Sequence, residues 1–345
     1  MNEMQTLLND SITKLLDDLV TADTIRQAED GTWPAALWEA LIENGMTRIL
    51  VPEAQEGAGA TWEDAYVVLK ASGAASAPVP LAEAILAGFM LGRAGIAIPD
   101  GVVTAMEGDF TLENGRLSGV ARAVPWGRNA THAVTLVESG WGVETVLAPL
   151  HYARIEKDMN VAREPRDTLS FDHVVVDTGW AGLPGNAVRL YGALTRSVQM
   201  AGALDYLIRQ SVHYANERTQ FGKPIGKFQA IQQQLAVLST QAAAVGIAAA
   251  HGCARADKVT SGDAAAFEIA VAKVRADDAS SIATSIAHQV HGAIGFTYEH
   301  GLHFATRRLW SWRAEFGSGA EWADWLGRET LARGADELWP YVTAR

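Results

Sequence analysis

The feature that most constrains this chain is a hydrophobic period that changes twice. Over residues 1 to about 97 the apolar positions recur at helical spacing, as in Leu7, Leu8, Ile12, Leu15, Leu16 and Leu19. Between 99 and 180 they fall into short β-prone runs, and after Gly182 and Pro184 the helical spacing returns. A segment patterned for one period does not bury its apolar face in the other conformation. An α+β protein in three parts is therefore predicted: an all-α N-terminal domain over 1–98, a small β-barrel or sandwich domain over 99–181, and a C-terminal four-helix bundle over 182–345. A chain of 345 residues suits two or three packed lobes better than one small core.

Local signals fill in this outline. A second N-terminal helix starts near Pro34, carries Leu37, Leu41 and Ile42, and stops before Gly45. Thr61 and Asp64 form a capping-box pattern that opens a helix over 62–74, and a further helix follows over 81–94. In the middle part, Val102-Val103, Phe110–Leu112, Arg116–Val120, Ala133–Val137, Glu144–Ala148, Thr168–Phe171 and His173–Val176 read as strands, with Asn114-Gly115 a hairpin signal. The later helices are expected over 186–215, 227–256, 262–293 and 318–342. The second of these is rich in Ala and Gly between Ala242 and Gly252, which lets helices approach closely in a bundle or a subunit contact.

Composition excludes several classes. The net charge of -12 and the lack of a polybasic tract argue against a nucleic-acid partner. No run approaches about 18 uninterrupted apolar residues, so no membrane span is predicted. Met1–Thr13 lacks the apolar core of a signal peptide. The lone Cys253 excludes an internal disulfide and fits a reducing cytoplasm, the predicted location. Gln55–Gly59 is not followed by the Lys-Ser/Thr of a phosphate loop. His288, His291, His300 and His303 match no zinc spacing, so no metal is expected.

Two segments carry chemistry. The first is Glu217-Arg218-Thr219-Gln220-Phe221-Gly222-Lys223-Pro224-Ile225, between two helical patterns; the second is Gln289-Val290-His291-Gly292-Ala293-Ile294-Gly295-Phe296. An arginine guanidinium offers a planar fork of donors suited to diphosphate oxygens, and glycines let backbone N–H groups approach an anion. Together with the domain order, these segments resemble the flavin-dependent acyl-CoA dehydrogenase family across nearly the whole chain. The resemblance implies FAD as cofactor and an acyl-CoA thioester as substrate. It implies contacts from Arg218, Gln220 and Phe221, from Gln229 after Phe228, and from Gln289, Gly292 and Gly295, to the diphosphate and adenosine end of an FAD held by a neighbouring subunit. It also implies that Trp126, in Val124-Pro125-Trp126-Gly127, lies against the flavin ring.

The sequence departs from the family at three places. Ala293 stands where a second glycine is common. Residues 98 to 117 contain no Thr-Glu-Pro-x-x-Gly-Ser-Asp-like loop to hold the flavin ring. The base that removes the substrate α-proton should be a carboxylate, yet its usual position falls on Phe316 and the alternative position on Ala193. Glu315, one residue away, is the internal candidate. The short length, the lost loop and the missing base resemble the short subunits of bacterial heteromeric acyl-CoA dehydrogenases, some of which act on steroid side-chain thioesters. The expectation is a homo- or hetero-oligomer (dimer of dimers) in which a paired subunit supplies base and ring pocket and an electron-transfer acceptor reoxidises the flavin. Two other readings stay open: a self-sufficient homo-oligomeric flavin dehydrogenase using Glu315, and a non-catalytic structural or regulatory homologue without flavin.

Overall fold

The computed structural model describes residues 2–258 and 265–344. Five helices lead the chain: α1 (Glu3–Leu19), α2 (Ala22–Glu29), α3 (Ala35–Glu43), α4 (Trp62–Ala75) and α5 (Leu81–Ala94). The Thr61 side chain accepts from the Asp64 N–H and Asp64 reaches back, so the capping box at the start of α4 is present. The short helix α2 was not anticipated, because eight residues with one buried apolar side chain, Ile25, carry little periodic signal.

Eight strands follow: β1 (Val103–Ala105), β2 (Gly108–Glu113), β3 (Arg116–Pro125), β4 (His132–Ser139), β5 (Gly142–Pro149), β6 (Arg154–Glu156), β7 (Arg166–Val175) and β8 (Asp177–Gly179). They form two four-stranded sheets, ordered β1-β4-β5-β8 and β2-β3-β7-β6. Apolar residues from both inner faces, among them Leu117, Ala121, Val137, Val146, Leu169 and Phe171, make one core between them. Asn114 and Gly115 both adopt positive φ in the β2–β3 hairpin, as the sequence implied. The two strands expected between Thr168 and Val176 are one, β7, with His173 at positive φ inside it.

The remainder is helical: α6 (Ala187–Glu217), the two-residue strands β9 (Thr219–Gln220) and β10 (Lys223–Pro224), then α7 (Gln229–Lys258), α8 (Ala266–His291), α9 (Leu302–Trp312), α10 (Gly319–Arg333) and α11 (Ala335–Thr343). The expected start of the third helix at 262 lies outside the described residues. The stretch read as one helix over 318–342 is two, because Gly334 sits at φ 91 and breaks the path. Helix α9 was missed altogether. Its apolar positions are interleaved with Arg307, Arg308 and His303, which blur the pattern.

The helices pack unusually closely at one crossing. A Cβ on Gly73 of α4 would overlap the backbone of Gln199 in α6, and a Cβ on Gly202 of α6 would overlap the backbone of Lys70 in α4. One apolar cluster runs from α1, α3, α4 and α5 through α6 into α7, α8 and Trp322 of α10, so these helices share a core. Helix α7 bears on the expectation of no membrane span. It is 30 residues long with an 18-residue window of mean hydropathy 1.3, long and apolar enough to cross a membrane by length and composition. Alanines and valines raise the mean without forming an unbroken apolar run. Only 28% of that window is buried within the chain. Val237 and Ile247 on its outer face are 44% and 72% exposed.

Candidate functional site

The two segments singled out in the sequence lie at adjoining helix ends. Helix α6 stops at Glu217, and Arg218 leaves it in extended conformation before the β9–β10 pair. The Ile225 N–H donates to the Arg218 carbonyl at 2.8 Å and closes this tongue. Helix α8 stops at His291, with Gly292 at φ 62 turning the chain away. Tyr214, one turn before Arg218, stacks on His291 with ring centroids 4.7 Å apart. That contact brings the two turns to one end of the helical layer.

The expected cofactor contacts there are open rather than committed. Arg218 is exposed, and its guanidinium meets no acceptor among the described residues. Phe221 is 92% exposed at φ 50, edge-on to Phe228 at 6.2 Å. Gln220 is exposed on β9, and Gln229 begins α7. Gln289 and Gly292, with Ser285, His288, Phe296 and Trp310, line a cleft of about 420 Å³. Gly295 is buried, and a Cβ there would sit 3.0 Å from His291 and Leu302 side chains. An unpaired arginine, an exposed aromatic and glycine-lined space fit the diphosphate and adenosine end of a dinucleotide.

The residue expected at the ring end is buried. Trp126 is 5% exposed, sits at φ 55 after β3, and packs edge-on against Trp33 of the N-terminal helices at 6.2 Å. Its neighbour Arg128 is bound to the buried Asp167 carboxylate, with Nε donating at 3.0 Å. Trp126 also lines a small cleft of about 170 Å³ with Trp33, Arg128 and Met159.

The two expected base positions converge in space and are filled. The Phe316 ring lies so close to Gly192 that a Cβ on that glycine would overlap it, and Ala193 beside it is fully buried. Phe316 is held by its backbone: it sits at φ 54, and the Trp322 indole N–H donates to its carbonyl at 3.0 Å. The Arg196 guanidinium, one turn along α6, lies 5.6 Å from the Phe316 ring centroid.

Glu315 points into a closed ionic network. Its carboxylate accepts from Arg166 Nε at 2.8 Å and Nη2 at 3.1 Å, from Arg196 Nε at 2.7 Å, and from the Asn160 amide at 3.2 Å. Arg196 also pairs with Glu83 of α5 and donates to Gln199. Arg166 reaches Glu164 at 2.9 Å, and Arg308 of α9 pairs with Glu164 at 3.1 Å. The Trp312 indole donates to the same Glu164 carboxylate at 3.0 Å. The network thus joins the N-terminal helices, the β sheets and the C-terminal helices. Burial would raise the Glu315 carboxyl, but the Arg166 and Arg196 guanidiniums outweigh it and hold it well below the usual carboxylate range. A carboxylate so stabilised is a poor proton acceptor, which weighs against Glu315 as the base.

Sequence reading missed the rest of this network, although a signal was present. Glu83 stands in the apolar run Leu81–Ala94, and Arg196 stands in a stretch of α6 buried on every side. Lone charges in such surroundings need buried partners.

Comparison with known proteins gives a consistent result. The profile described as acyl-CoA dehydrogenase, N-terminal domain, matches residues 2–97, and that described as acyl-CoA dehydrogenase, C-terminal domain, matches residues 190–320. The chain is 27% identical over 319 residues to "Acyl-CoA dehydrogenase IpdE2" of Mycolicibacterium smegmatis, covering 89% of this chain and 93% of that protein. Among solved structures, a chain of the ChsE4-ChsE5 complex from Mycobacterium tuberculosis superposes with a TM-score of 0.87 at 22% identity, covering 97% of this chain and 99% of that one. A chain of the Tcur3481-Tcur3483 steroid ACAD gives a TM-score of 0.86, also at 22% identity and with the same coverage of both chains, 97% and 99%.

Proposed function

The chain belongs to the acyl-CoA dehydrogenase family, and from that premise we propose that it is one subunit of a heteromeric, FAD-dependent acyl-CoA dehydrogenase. In this reading Arg218, Gln220, Phe221, Gln229, Gln289, Gly292 and Gly295 are lent to a dinucleotide whose ring lies in a paired subunit. Units 1–98, 99–181 and 182–345 act as its three domains. The partner supplies the base that takes the α-proton of an acyl-CoA thioester. The flavin, when bound, accepts the hydride that leaves the β-carbon.

The observation that carries this reading is the split character of the site. Arg218 is exposed and unpaired, while the expected base positions are filled by Phe316 on Gly192 and by the Glu315 network. A chain shaped this way has something to give to a shared cofactor and no room to run the reaction itself. Named relatives that are two-component complexes, one described as a steroid ACAD, support a paired subunit and a bulky acyl group. The buried reduced Cys253 is in keeping with a cytoplasmic enzyme. An electron-transfer acceptor would reoxidise the flavin.

The test is expression of the chain alone and with any acyl-CoA dehydrogenase subunit encoded beside its gene. The visible flavin spectrum and dye reduction by a panel of acyl-CoAs are then recorded for each. Flavin and turnover are expected only in the complex. A yellow chain that oxidises acyl-CoA by itself would sink the proposal.

A further inference from the structure

Four histidines close around the turn that carries Gln289, Gly292 and Gly295. His288 and His291 end α8, His300 precedes α9, and His303 lies in its first turn. His291 Nδ1 donates to the Ala287 carbonyl at 2.7 Å, and its Nε2 is buried with no partner among the described residues. His303 Nδ1 donates to the His300 carbonyl at 2.9 Å, leaving Nε2 in the same state. His288 Nε2 meets Thr306 Oγ1 at 3.2 Å, leaving Nδ1 buried and unpartnered. His300 Nδ1 accepts from the Leu302 N–H at 3.2 Å.

The rings pack on one another and on aromatics. His291 lies between Tyr214 at 4.7 Å and His300 at 4.8 Å, and His288 stacks on Phe296 at 4.3 Å. The charged groups facing them offer no home for added protons. His303 faces Arg26 and Glu29 of α2 and Arg307 of its own helix, and Glu29 is already bound to Arg307 at 2.5 Å. His291 faces His288 and His300, and His288 faces His303. Burial holds all four imidazoles below their ordinary range, and neighbouring imidazoles push His288 and His291 further down.

We propose that this cluster is an acid-sensitive clasp: when its imidazoles take up protons, the segment from 288 to 303 opens, and the turn of Gln289, Gly292 and Gly295 opens with it. Its consequence for a shared flavin rests on the function proposed above; the opening itself does not. Each histidine is disfavoured as a cation in the closed state, so its contribution is fully present above the unfolded value of 6.5 and declines as pH falls below it. An imidazole that stays neutral when closed and is protonated when open favours opening by about 30-fold between pH 8 and pH 5.

The experiment is pulsed hydrogen–deuterium exchange of the full chain at several pH values, corrected for intrinsic rates and read on peptides covering 286–304. Protection of that segment should fall at least about tenfold between pH 8 and pH 5 while the β3–β7 peptides stay protected. His303→Gln and His291→Phe should each flatten the dependence. If His291→Phe does not fold, the half-buried His303→Gln still decides the matter. Corrected exchange that is flat with pH, or steep and unaltered by His303→Gln, would overturn the clasp. No flavin is needed for this measurement. A complex that never binds flavin at any pH would defeat the proposed function and leave the clasp standing.

Discussion

Replacing Glu315 with Gln distinguishes a structural carboxylate from a catalytic one. The Glu315 side chain is 16% exposed, and its partners Arg166 and Arg196 are 5% and 2% exposed. Charge removal would leave Arg166, Arg196 and Arg308 facing only Glu83 and Glu164. Breaking a buried ion pair from one side typically costs about 3–5 kcal/mol. Gln keeps one acceptor oxygen, which places the expected loss near the low end, about 3 kcal/mol. For a chain of this size that corresponds to a fall in melting temperature of roughly 4 °C. Far-ultraviolet circular dichroism melts at pH 7 measure it. Turnover of the assembled enzyme, taken well below both transitions, should be unchanged, whereas loss of a general base would lower it by about 10²–10⁴-fold. The Glu315 carboxyl is depressed in the folded chain, so its contribution is complete above the unfolded value of 4.5 and declines progressively as pH falls from there toward the depressed value. The difference between wild type and variant should therefore shrink progressively as pH falls below about 4.5. An unaltered melting temperature, or a collapse in turnover at full stability, would refute the assignment.

Two further outcomes are expected. Arg218→Ala should weaken flavin retention by the assembled protein by about 10–100-fold, the worth of one charge-assisted bidentate contact; flavin content after gel filtration equal to wild type would count against it. Ile247→Lys, on the exposed apolar face of α7, should shift the protein toward smaller species in light scattering, because that face is too apolar to remain in water. A wild-type chain that is monomeric at micromolar concentration, with and without FAD, would remove the premise.

Much of the architecture was legible because it rests on local rules. Asn114-Gly115 can occupy the two left-handed positions of a hairpin, and Thr61 with Asp64 can satisfy the first N–H groups of α4, whatever the rest of the chain does. The turns after Arg218 and Gln289 were legible because Gly222 and Gly292 can take the positive φ those turns require. What stayed hidden depends on distant partners. The edge-on contact of Trp126 with Trp33, 93 positions earlier, has no trace in the local sequence. Glu315 reads as a candidate base, and nothing near it in the sequence announces its partners Arg166 and Arg196 in other layers. A pattern along the chain carries no information about which charges meet across it. Helix α9 was lost for a related reason, since Arg308 is a core residue there and breaks the apolar period that would have announced the helix.

The crossing of α4 and α6 at Gly73 and Gly202 bears on how the molecule can move. Packed helices ordinarily slide past one another by small rotamer changes in the side chains between them. Here backbone rests on backbone, and no side-chain layer exists to take up such a shift. In mechanical terms the joint is a weld, and α4 and α6 form a single beam. Helix α6 carries Gly192 near one end and leads into Arg218 at the other, about 39 Å apart at 1.5 Å per residue. A load applied at the exposed tongue would travel along this beam into the N-terminal helices undiminished by slip, and compliance would have to come from the sheets and from the turns beyond α8.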